Sequence, residues 1–307
     1  MHKPSVLITG ASGFIGSYLI PFLVTRGYEV IALSRQPRDS SYAVTWITSF
    51  AQIQAESIDY VINLAGESIG KGRWTDARKQ KLLQSRVETT EQLYRYLTEK
   101  NLAPKTIISG SAVGYYGIDP EQQWQQVCHE ESPSQAVFMS ALCQKWEYSA
   151  LQFSQFNTKI IRLGIVFAQD GGILPQMLLP IKLGLVAKIG TGQQPVAWVH
   201  IADVLRAVEF LLRTPTQQRI FNVVAPEQLN QATFAQYAAQ LFKKRPVLNA
   251  PAWLFEMLMG EQAQLILNGQ YVMPKHLTEL GFIFHFQSVS QALSNLRSIK
   301  RPAEADL

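Results

Sequence analysis

The chain has 307 residues, of which 47% are hydrophobic and 17% are charged, and its formal net charge is +5. This length can hold one large α/β domain, or a main domain with a smaller lobe, and the composition is ordinary for a globular enzyme. The basic residues are scattered and accompany no nucleic-acid-binding motif. We therefore expect no nucleic-acid partner and ascribe the charge to anionic small-molecule ligands.

Four further kinds of protein are disfavoured. No run of about 18 apolar residues predicts a membrane span, and the apolar run Val6–Ile8 begins too early to leave room for a signal peptide. Cys128 and Cys143 are too few for a disulfide scaffold, and the Cys and His residues lack the spacing of metal ligands. We expect a cytoplasmic protein with no membrane partner and no metal.

A glycine-rich turn joins the first predicted strand to the first predicted helix. The strand is Val6–Ile8, the turn carries Gly10, Gly13 and Gly16, and the helical pattern ends near Gly27. Such a unit presents backbone N–H groups and the positive end of a helix dipole to a pyrophosphate. Glycines let the chain turn tightly and let a phosphate approach the backbone. The motif predicts dinucleotide binding.

The end of the second predicted strand indicates which dinucleotide binds. Glu29–Leu33 is followed by Ser34 and Arg35, with Arg38 close behind. An acidic residue at this place usually accepts a hydrogen bond from the ribose 2′-hydroxyl of NAD. An arginine cannot accept that bond, but it suits a 2′-phosphate. The residue type predicts NADP(H), against the alternative of a solvated arginine at a strand end.

Alternating strand and helix patterns through the first 170 residues predict an α/β fold with a doubly wound parallel sheet. The further predicted strands are Tyr60–Leu64, Thr106–Ser109 and Ile160–Leu163, and the long helices cover about 76–100 and 136–155.

The regular alternation of strand and helix patterns ends after Gly164, where glycines and prolines predict an irregular segment. A strand at Ala197–Ile201, a helix at Asp203–Arg213 and a strand at Phe221–Val224 follow. We predict a dinucleotide-binding domain over 1–170, to which 197–225 returns. A smaller, mainly helical C-terminal substrate lobe is predicted over 171–196 and 226–307, and the last residues, 300–307, are expected to form a frayed tail.

Four sequence segments together resemble the extended short-chain dehydrogenase/reductase superfamily: the glycine turn, Asn63–Gly66, Ser111–Gly117 and Trp198–Asp203. More closely, the chain resembles the atypical epimerase-family branch described as nucleoside-diphosphate-sugar epimerase-like. The phrases that carry this closer resemblance are Leu64–Glu67, Arg73–Trp74, Ser85–Arg86, Ser111–Gly117, Leu258–Glu261, Met273–Leu277 and Gly281–Phe284.

The resemblance implies a Rossmann fold of the extended type, an NADP(H) site and a substrate cleft between two lobes. It places the cofactor on the glycine turn, the end of the second strand and the loop after the predicted strand Tyr60–Leu64. The candidate cofactor-binding residues are Gly10, Ser12, Gly13, Phe14, Ile15, Gly16, Ser34, Arg35, Leu64, Ala65, Gly66, Glu67 and Ser109.

The superfamily usually carries a Tyr-x-x-x-Lys pair on the helix after its serine strand, where the lysine lowers the pKa of the tyrosine. If Glu147 is aligned with the glutamate that commonly follows the pair, Met139 and Cys143 occupy the two places, so the pair is absent. Tyr96–Lys100 and Tyr271–Lys275 have the right spacing. The first precedes the serine strand, however, and the second contains a proline.

Three hydroxyl groups remain as catalytic candidates: Ser111, Tyr115 and Tyr116. Ser111 follows the apolar strand, but its equivalence to the superfamily's serine is open by one residue, because Ala112 is the other candidate. Either tyrosine could instead pack in the wall of the cleft.

The candidate substrate-binding residues are Arg73, Trp74 and Trp198, although Trp74 could simply anchor the start of a helix. Two functions stay open. The first is an NADP(H)-dependent oxidoreductase or epimerase-like enzyme on a small polar substrate, with a nucleotide sugar as one candidate. The second is a non-catalytic NADP(H)-sensing or regulatory protein, which the cell-division-inhibitor label of some relatives would fit. The oligomeric state is left open.

Overall fold

The structure is a computed structural model that describes residues 3–70, 72–246 and 248–298. The predicted tail at 300–307 lies outside these residues. The elements up to the middle of the chain are β1 (Ser5–Thr9), α1 (Phe14–Thr25), β2 (Glu29–Leu33), β3 (Val44–Ile47), β4 (Tyr60–Asn63), α2 (Asp76–Glu99), β5 (Thr106–Ala112), β6 (Val127–Cys128), α3 (Phe138–Leu151), β7 (Thr158–Leu163) and β8 (Ile165–Phe167).

The second half is richer in short helices. Its elements are α4 (Leu174–Lys182), β9 (Val186–Ile189), β10 (Trp198–His200), α5 (Ile201–Arg213), β11 (Ile220–Val223), α6 (Gln231–Leu241), β12 (Leu248–Ala250), α7 (Ala252–Met259), α8 (Gln264–Leu267), β13 (Tyr271–Val272), α9 (Lys275–Glu279) and α10 (Val289–Ser298).

Seven parallel strands form the central sheet, in the order β3-β2-β1-β4-β5-β7-β11. The order reverses direction at β1, because β2 lies on one side of it and β4 on the other. This is the doubly wound α/β architecture that the sequence predicts, so the predicted fold class is confirmed. We did not predict the edge strand β3.

Both faces of the sheet are covered by helices, which explains why its strands are almost continuously apolar. On one face, Val6 and Ile8 pack with α1 and α5 through side chains such as Leu19 and Val208. Side chains of the opposite face, Leu7 and Ile107 among them, pack with α2 and α3. Successive residues of a strand point to opposite faces, so one apolar strand supplies both cores.

A second core lies beside the sheet, where α4, α6 and α10 pack together around Phe167, Trp198 and Phe234. Three short parallel pairs accompany it: β8 with β10, β9 with β12, and β6 with β13. The predicted strand at 197–201 thus exists as β10, but it pairs with β8 outside the seven-stranded sheet. The predicted domain boundaries stay a prediction.

Within the described part of the chain, no helix is both long enough and apolar enough to cross a bilayer.

Candidate functional site

The site lies along the edge of the sheet where the strands end. Since the strands are parallel, the loops after β1, β2, β4 and β5 all leave from this edge, and ligands of doubly wound sheets bind there. These four loops carry most of the residues that the sequence marks as candidates.

The glycine turn between β1 and α1 is a cradle that larger residues would fill. Gly10 has a φ of +66°, and a Cβ atom there would lie 2.6 Å from the Leu64 carbonyl oxygen. A Cβ on Gly16 would lie 2.5 Å from the carbonyl oxygens of Gly10 and Ala11. Helix α1 starts behind Gly13 with no side-chain cap. Its first N–H groups are therefore available to an anion, as a pyrophosphate site requires.

The end of β2 brings four predicted cofactor residues together. The hydroxyls of Ser12 and Ser34 are 3.3 Å apart, and the Arg35 side chain is 90% exposed. Arg35 Nη1 donates to Glu67 Oε1 at 2.8 Å, so the guanidinium reaches from β2 to the loop after β4. This hydrogen bond is the main reason why the pKa of Glu67 lies below its usual value, although burial opposes it. The positively charged Arg35 side chain therefore lies beside the glycine turn.

Helix α2 fixes the loop after β4. The backbone N–H of Glu67 donates to Ser85 Oγ at 3.1 Å, and the Glu67 carbonyl accepts from Arg86 Nη2 at 3.0 Å. Arg78 binds the Glu67 carboxylate at 3.4 Å and also donates to the Ser68 carbonyl. These contacts give Ser85 and Arg86, which the sequence marked only as matching phrases, a role in placing the loop. Arg78 was missed.

Ser109 is fully buried and does not line the edge. The Thr9 hydroxyl donates to Asn63 Oδ1 at 2.6 Å, and Asn63 Nδ2 donates to Thr90 Oγ1 and Ser109 Oγ at 2.8 and 3.2 Å. The Ser109 side chain thus has no exposed surface and binds inside this network, and its role as a cofactor contact stays a prediction.

Two of the three catalytic candidates are also held inside the protein. Ser111 is 2% exposed, and its hydroxyl donates to Glu147 Oε1 at 2.7 Å. The Tyr116 hydroxyl donates to Asn222 Oδ1 at 2.7 Å and accepts from Arg162 Nη1 at 3.0 Å. Burial raises the pKa of Tyr116. Arg162 and Glu147 form a buried bidentate ion pair at 2.8 Å that unites these contacts. Both hydroxyls are thus engaged in buried hydrogen bonds, and the catalytic roles of Ser111 and Tyr116 stay predictions.

Tyr115 differs from both. Its side chain is half-buried, and the described residues offer its hydroxyl no hydrogen bond. The Arg162 guanidinium lies over the Tyr115 ring, with Cζ 3.4 Å from the centroid, which fixes the ring by a cation–π contact. Among the three candidate residues, Tyr115 has a hydroxyl group that is free to bind a ligand.

Apolar residues occupy the positions where the superfamily carries its catalytic side chains. Met139 and Cys143 pack with Leu82 and Leu142 in a small core, and Ala112 lies against it. The Cys143 thiol donates to the Ala112 carbonyl at 3.6 Å, and burial raises the thiol pKa to about 11. Ala112 packs against this core, while the Ser111 side chain interacts with Cys143 and donates to Glu147, both of α3. In this part of the described structure, no serine, tyrosine and lysine come together.

Neither alternative Tyr-x-x-x-Lys match forms a pair on a helix at this edge. Tyr96 stacks on Phe50 at 5.3 Å, and Lys100 is the C-cap of α2. Tyr271 belongs to β13, whereas Lys275 begins α9 and binds Glu131 at 3.2 Å.

The substrate candidates fall into two groups. Trp198 is wholly buried and stacks on Phe167 at 5.2 Å, and its role as a substrate contact stays a prediction. Arg73 reaches across to the second lobe, where Nη2 donates to the Met257 carbonyl at 3.4 Å. Trp74 is half-buried, and its indole N–H donates to the Ile69 carbonyl at 3.2 Å, which anchors the loop before α2.

An ion pair and a hydrogen bond connect α2 and the loop before it to the 257–262 segment. Lys79 pairs with Glu261, and Gln262 Nε2 donates to the Ile69 carbonyl at 3.0 Å. These contacts fix the position of the loop before α2 relative to that segment. Sequence patterns did not single out Gln262 or Lys79, because their partners are nearly two hundred residues away.

Comparison with known proteins agrees with this architecture. The family model described as "NAD dependent epimerase/dehydratase family" matches residues 6–224, and a domain of unknown function, DUF1731, matches residues 250–296. The chain therefore belongs to the NAD-dependent epimerase/dehydratase family, which confirms the predicted resemblance.

Individual relatives cover nearly the whole chain. An epimerase family protein of Staphylococcus aureus (strain N315) is 34% identical over 298 residues, which span 94% of this chain and 98% of the relative. The crystal structure of the human epimerase family protein SDR39U1 (isoform 2) with NADPH has a TM-score of 0.87 at 31% identity, covering 96% of this chain and 100% of that one. A nucleoside-diphosphate sugar epimerase from Corynebacterium glutamicum has a TM-score of 0.73 at 25% identity, covering 95% and 58%.

Proposed function

We propose that this chain binds NADP(H) along the sheet edge and is an oxidoreductase or epimerase-like enzyme for a small polar substrate. The observation that carries the proposal is the glycine cradle beside Arg35, because it combines a pyrophosphate site with a cation suited to a 2′-phosphate. The human relative, at 31% identity, was solved with NADPH.

The residues present fit this cofactor. The turn from Gly10 to Gly16 would hold the pyrophosphate, Ser12, Ser34 and Arg35 the adenosine phosphate, and the 64–66 loop the ribose and base. NADPH, when bound, supplies a hydride to an electrophilic carbon. The chain's own part is to hold both ligands at the edge and to supply or accept a proton.

Tyr115 is our candidate for the proton. Its hydroxyl is free of protein partners in the described structure, and its ring is held by Arg162. Arg73 contacts the 257–262 segment, and we place the polar substrate between this segment and the sheet edge.

Arg35→Asp tests the cofactor assignment directly. We expect it to weaken NADPH binding at least about tenfold, because a charge-assisted hydrogen bond contributes about 1.5–3 kcal/mol, and to change NADH binding far less. Calorimetric titration with both cofactors measures this, with Arg95→Asp as a control of equal charge change on the exposed face of α2. Equal weakening of both cofactors would show that Arg35 does not select the phosphate.

A second function, NADP(H) sensing without chemistry, is favoured by one observation. Ala112, Met139 and Cys143 form an apolar wall where the superfamily places its catalytic side chains. An assay of NADPH oxidation with aldehydes, ketones and nucleotide sugars separates the two functions. Reproducible turnover with any of them supports the enzyme, whereas a partner protein that binds only the NADPH-loaded form supports the sensor.

A further inference from the structure

Arg86 of α2 is a buried cation with an unusual set of partners. Its side chain is 6% exposed, and its two terminal nitrogens donate to the Leu82 and Glu67 carbonyl oxygens, each at 3.0 Å. Its Nε has no hydrogen-bond partner among the residues that the structure describes. No carboxylate in that part of the chain is hydrogen-bonded to Arg86.

Keeping a charge in such a place is costly. Burial without a bound carboxylate disfavours the charged form, and it lowers the pKa of Arg86 to about 10. The guanidinium nevertheless remains protonated at neutral pH. The positive charge therefore stays in this buried position, where its field acts on neighbouring groups.

The Glu67 carboxylate attracts Arg86 electrostatically, but both neighbouring carboxylates are hydrogen-bonded to other arginines. The Glu67 carboxylate is already bound by Arg35 at 2.8 Å and by Arg78 at 3.4 Å. Glu147 is engaged in its bidentate pair with Arg162. The region between α2 and α3 therefore keeps an excess of positive charge in a dry environment, where screening is weak.

Arg86 lies between the cofactor loop and the place of the missing lysine. A Cβ atom on Gly66 would be 3.1 Å from Arg86 Cζ, so the loop passes directly over the guanidinium. On the α3 side, Arg86 lies over the Trp146 ring, 5.0 Å from its centroid. It is also close enough to Cys143 to interact electrostatically with the thiol.

We propose that Arg86 supplies from α2 the buried positive charge that the superfamily's lysine supplies from the helix after β5, and that this charge acts on the nicotinamide end of bound NADP(H). The inference rests on the proposed NADP(H) binding. Because Arg86 Nε is sealed from solvent, Arg86 acts through its field and through the loop that it holds. It is a positioning residue and not one that touches the reacting atoms.

The proposal has a consequence that needs no knowledge of the substrate. The oxidised nicotinamide ring carries a positive charge and the reduced ring is neutral, so a fixed cation nearby disfavours NADP⁺ relative to NADPH. We expect the wild type to bind NADPH about tenfold more tightly than NADP⁺. A tenfold ratio corresponds to a shift of about 30 mV in the potential of the bound two-electron couple.

The experiment compares the dissociation constants of NADPH and NADP⁺ for the wild type, Arg86→Met and Arg86→Lys. We expect Arg86→Met to bring the ratio of the two constants close to one, and Arg86→Lys to keep it within about threefold of the wild type. Arg95→Met is the matched control, because it removes an exposed arginine of the same helix and leaves the ratio unchanged. Circular dichroism and thermal unfolding verify that each variant is folded.

Each outcome bears on a separate claim. A folded Arg86→Met variant with the wild-type ratio overturns the inference, and so does equal affinity of the wild type for the two cofactors. The comparison of the wild-type affinities for NADPH and NADP⁺ can overturn the inference even where Arg86→Met does not fold. A purely structural role would lower stability and weaken both cofactors alike without moving the ratio. If the wild type binds neither cofactor, the proposed function itself fails.

Discussion

Single side chains decide whether this site can move a proton. The hydroxyls of Ser111 and Tyr116 are taken up by Glu147, Asn222 and Arg162, whereas that of Tyr115 has no such partner in the described structure. A hydroxyl in a buried network stabilises the fold, and a free hydroxyl beside a cleft can exchange a proton with a ligand. Two adjacent tyrosines therefore have different roles.

A pair of tyrosine variants tests this division. Tyr115→Phe should lower turnover of any active carbonyl substrate by at least about 100-fold, the usual share of general acid–base catalysis, and leave NADPH affinity and thermal stability unchanged. Tyr116→Phe should instead reduce the free energy of unfolding by about 1–3 kcal/mol, because Asn222 and Arg162 each lose a buried partner. Steady-state kinetics and denaturant unfolding measure the two effects. Wild-type turnover in Tyr115→Phe would remove Tyr115 from the mechanism.

At the scale of elements, helix termini and strand ends hold the site in place. Helix α5 begins at His200, whose Nδ1 accepts a hydrogen bond from the Ala202 N–H at 3.1 Å. The imidazole ring of His200 stacks on Phe286, with the two ring centroids 3.8 Å apart. An imidazole can cap a helix in this way only while Nδ1 is unprotonated, so the start of α5 depends on a neutral histidine.

This cap makes the stability of the protein sensitive to acid. Burial lowers the pKa of His200 to about 4, below the unfolded value of about 6.5. The unfolded state therefore binds more protons between these values, and stability falls as the pH drops from about 6.5 to 4. The whole shift corresponds to a loss of about 3 kcal/mol. Hydrogen bonds to the Ile220 carbonyl and Glu131 raise the pKa of His276 despite its burial, so its contribution has the opposite sign.

His200→Asn separates this contribution from that of the other titrating groups. Asparagine can still cap α5 but does not titrate, so the variant should lose less stability than the wild type between pH 6.5 and 4. Denaturant unfolding across this range measures the difference. Parallel pH profiles for the two proteins would contradict a neutral His200 cap.

At the scale of the whole molecule, the C-terminal segment is part of the main core. Leu277, Phe282 and Phe284 lie in the predicted second lobe, yet they pack with the α1 and α5 side of the sheet. Asp203 fastens the same segment by accepting hydrogen bonds from the backbone N–H groups of His285 and Phe286, at 2.8 and 2.9 Å. The sheet and the C-terminal segment therefore stabilise each other.

Leu277→Ala measures this coupling. The side chain is fully buried, so we expect a loss of about 2–5 kcal/mol in the free energy of unfolding. Ile283→Ala is the matched control in the same segment, because Ile283 is 68% exposed and its truncation should change stability by less than about 0.5 kcal/mol. A single unfolding transition in both variants is expected. Two separate transitions would indicate that the segment folds independently of the sheet.

The sequence alone determined the features that depend on neighbouring residues. The glycine turn, the arginine after β2 and the alternation of strands and helices are local patterns, because backbone geometry and side-chain period act over a few residues. The same locality revealed that Met139 and Cys143 replace the Tyr-x-x-x-Lys pair, since both places lie on one helix.

Tertiary structure decided which of the candidate side chains are free and which are enclosed. Trp198 meets Phe167 and Tyr116 meets Asn222 only after folding, and the latter two residues are 106 positions apart. Ser111 is bound by Glu147, and Arg86 lies under the loop after β4 because of the packing of α2. Burial and hydrogen-bond partners depend on the summed packing of distant elements, which no local pattern encodes.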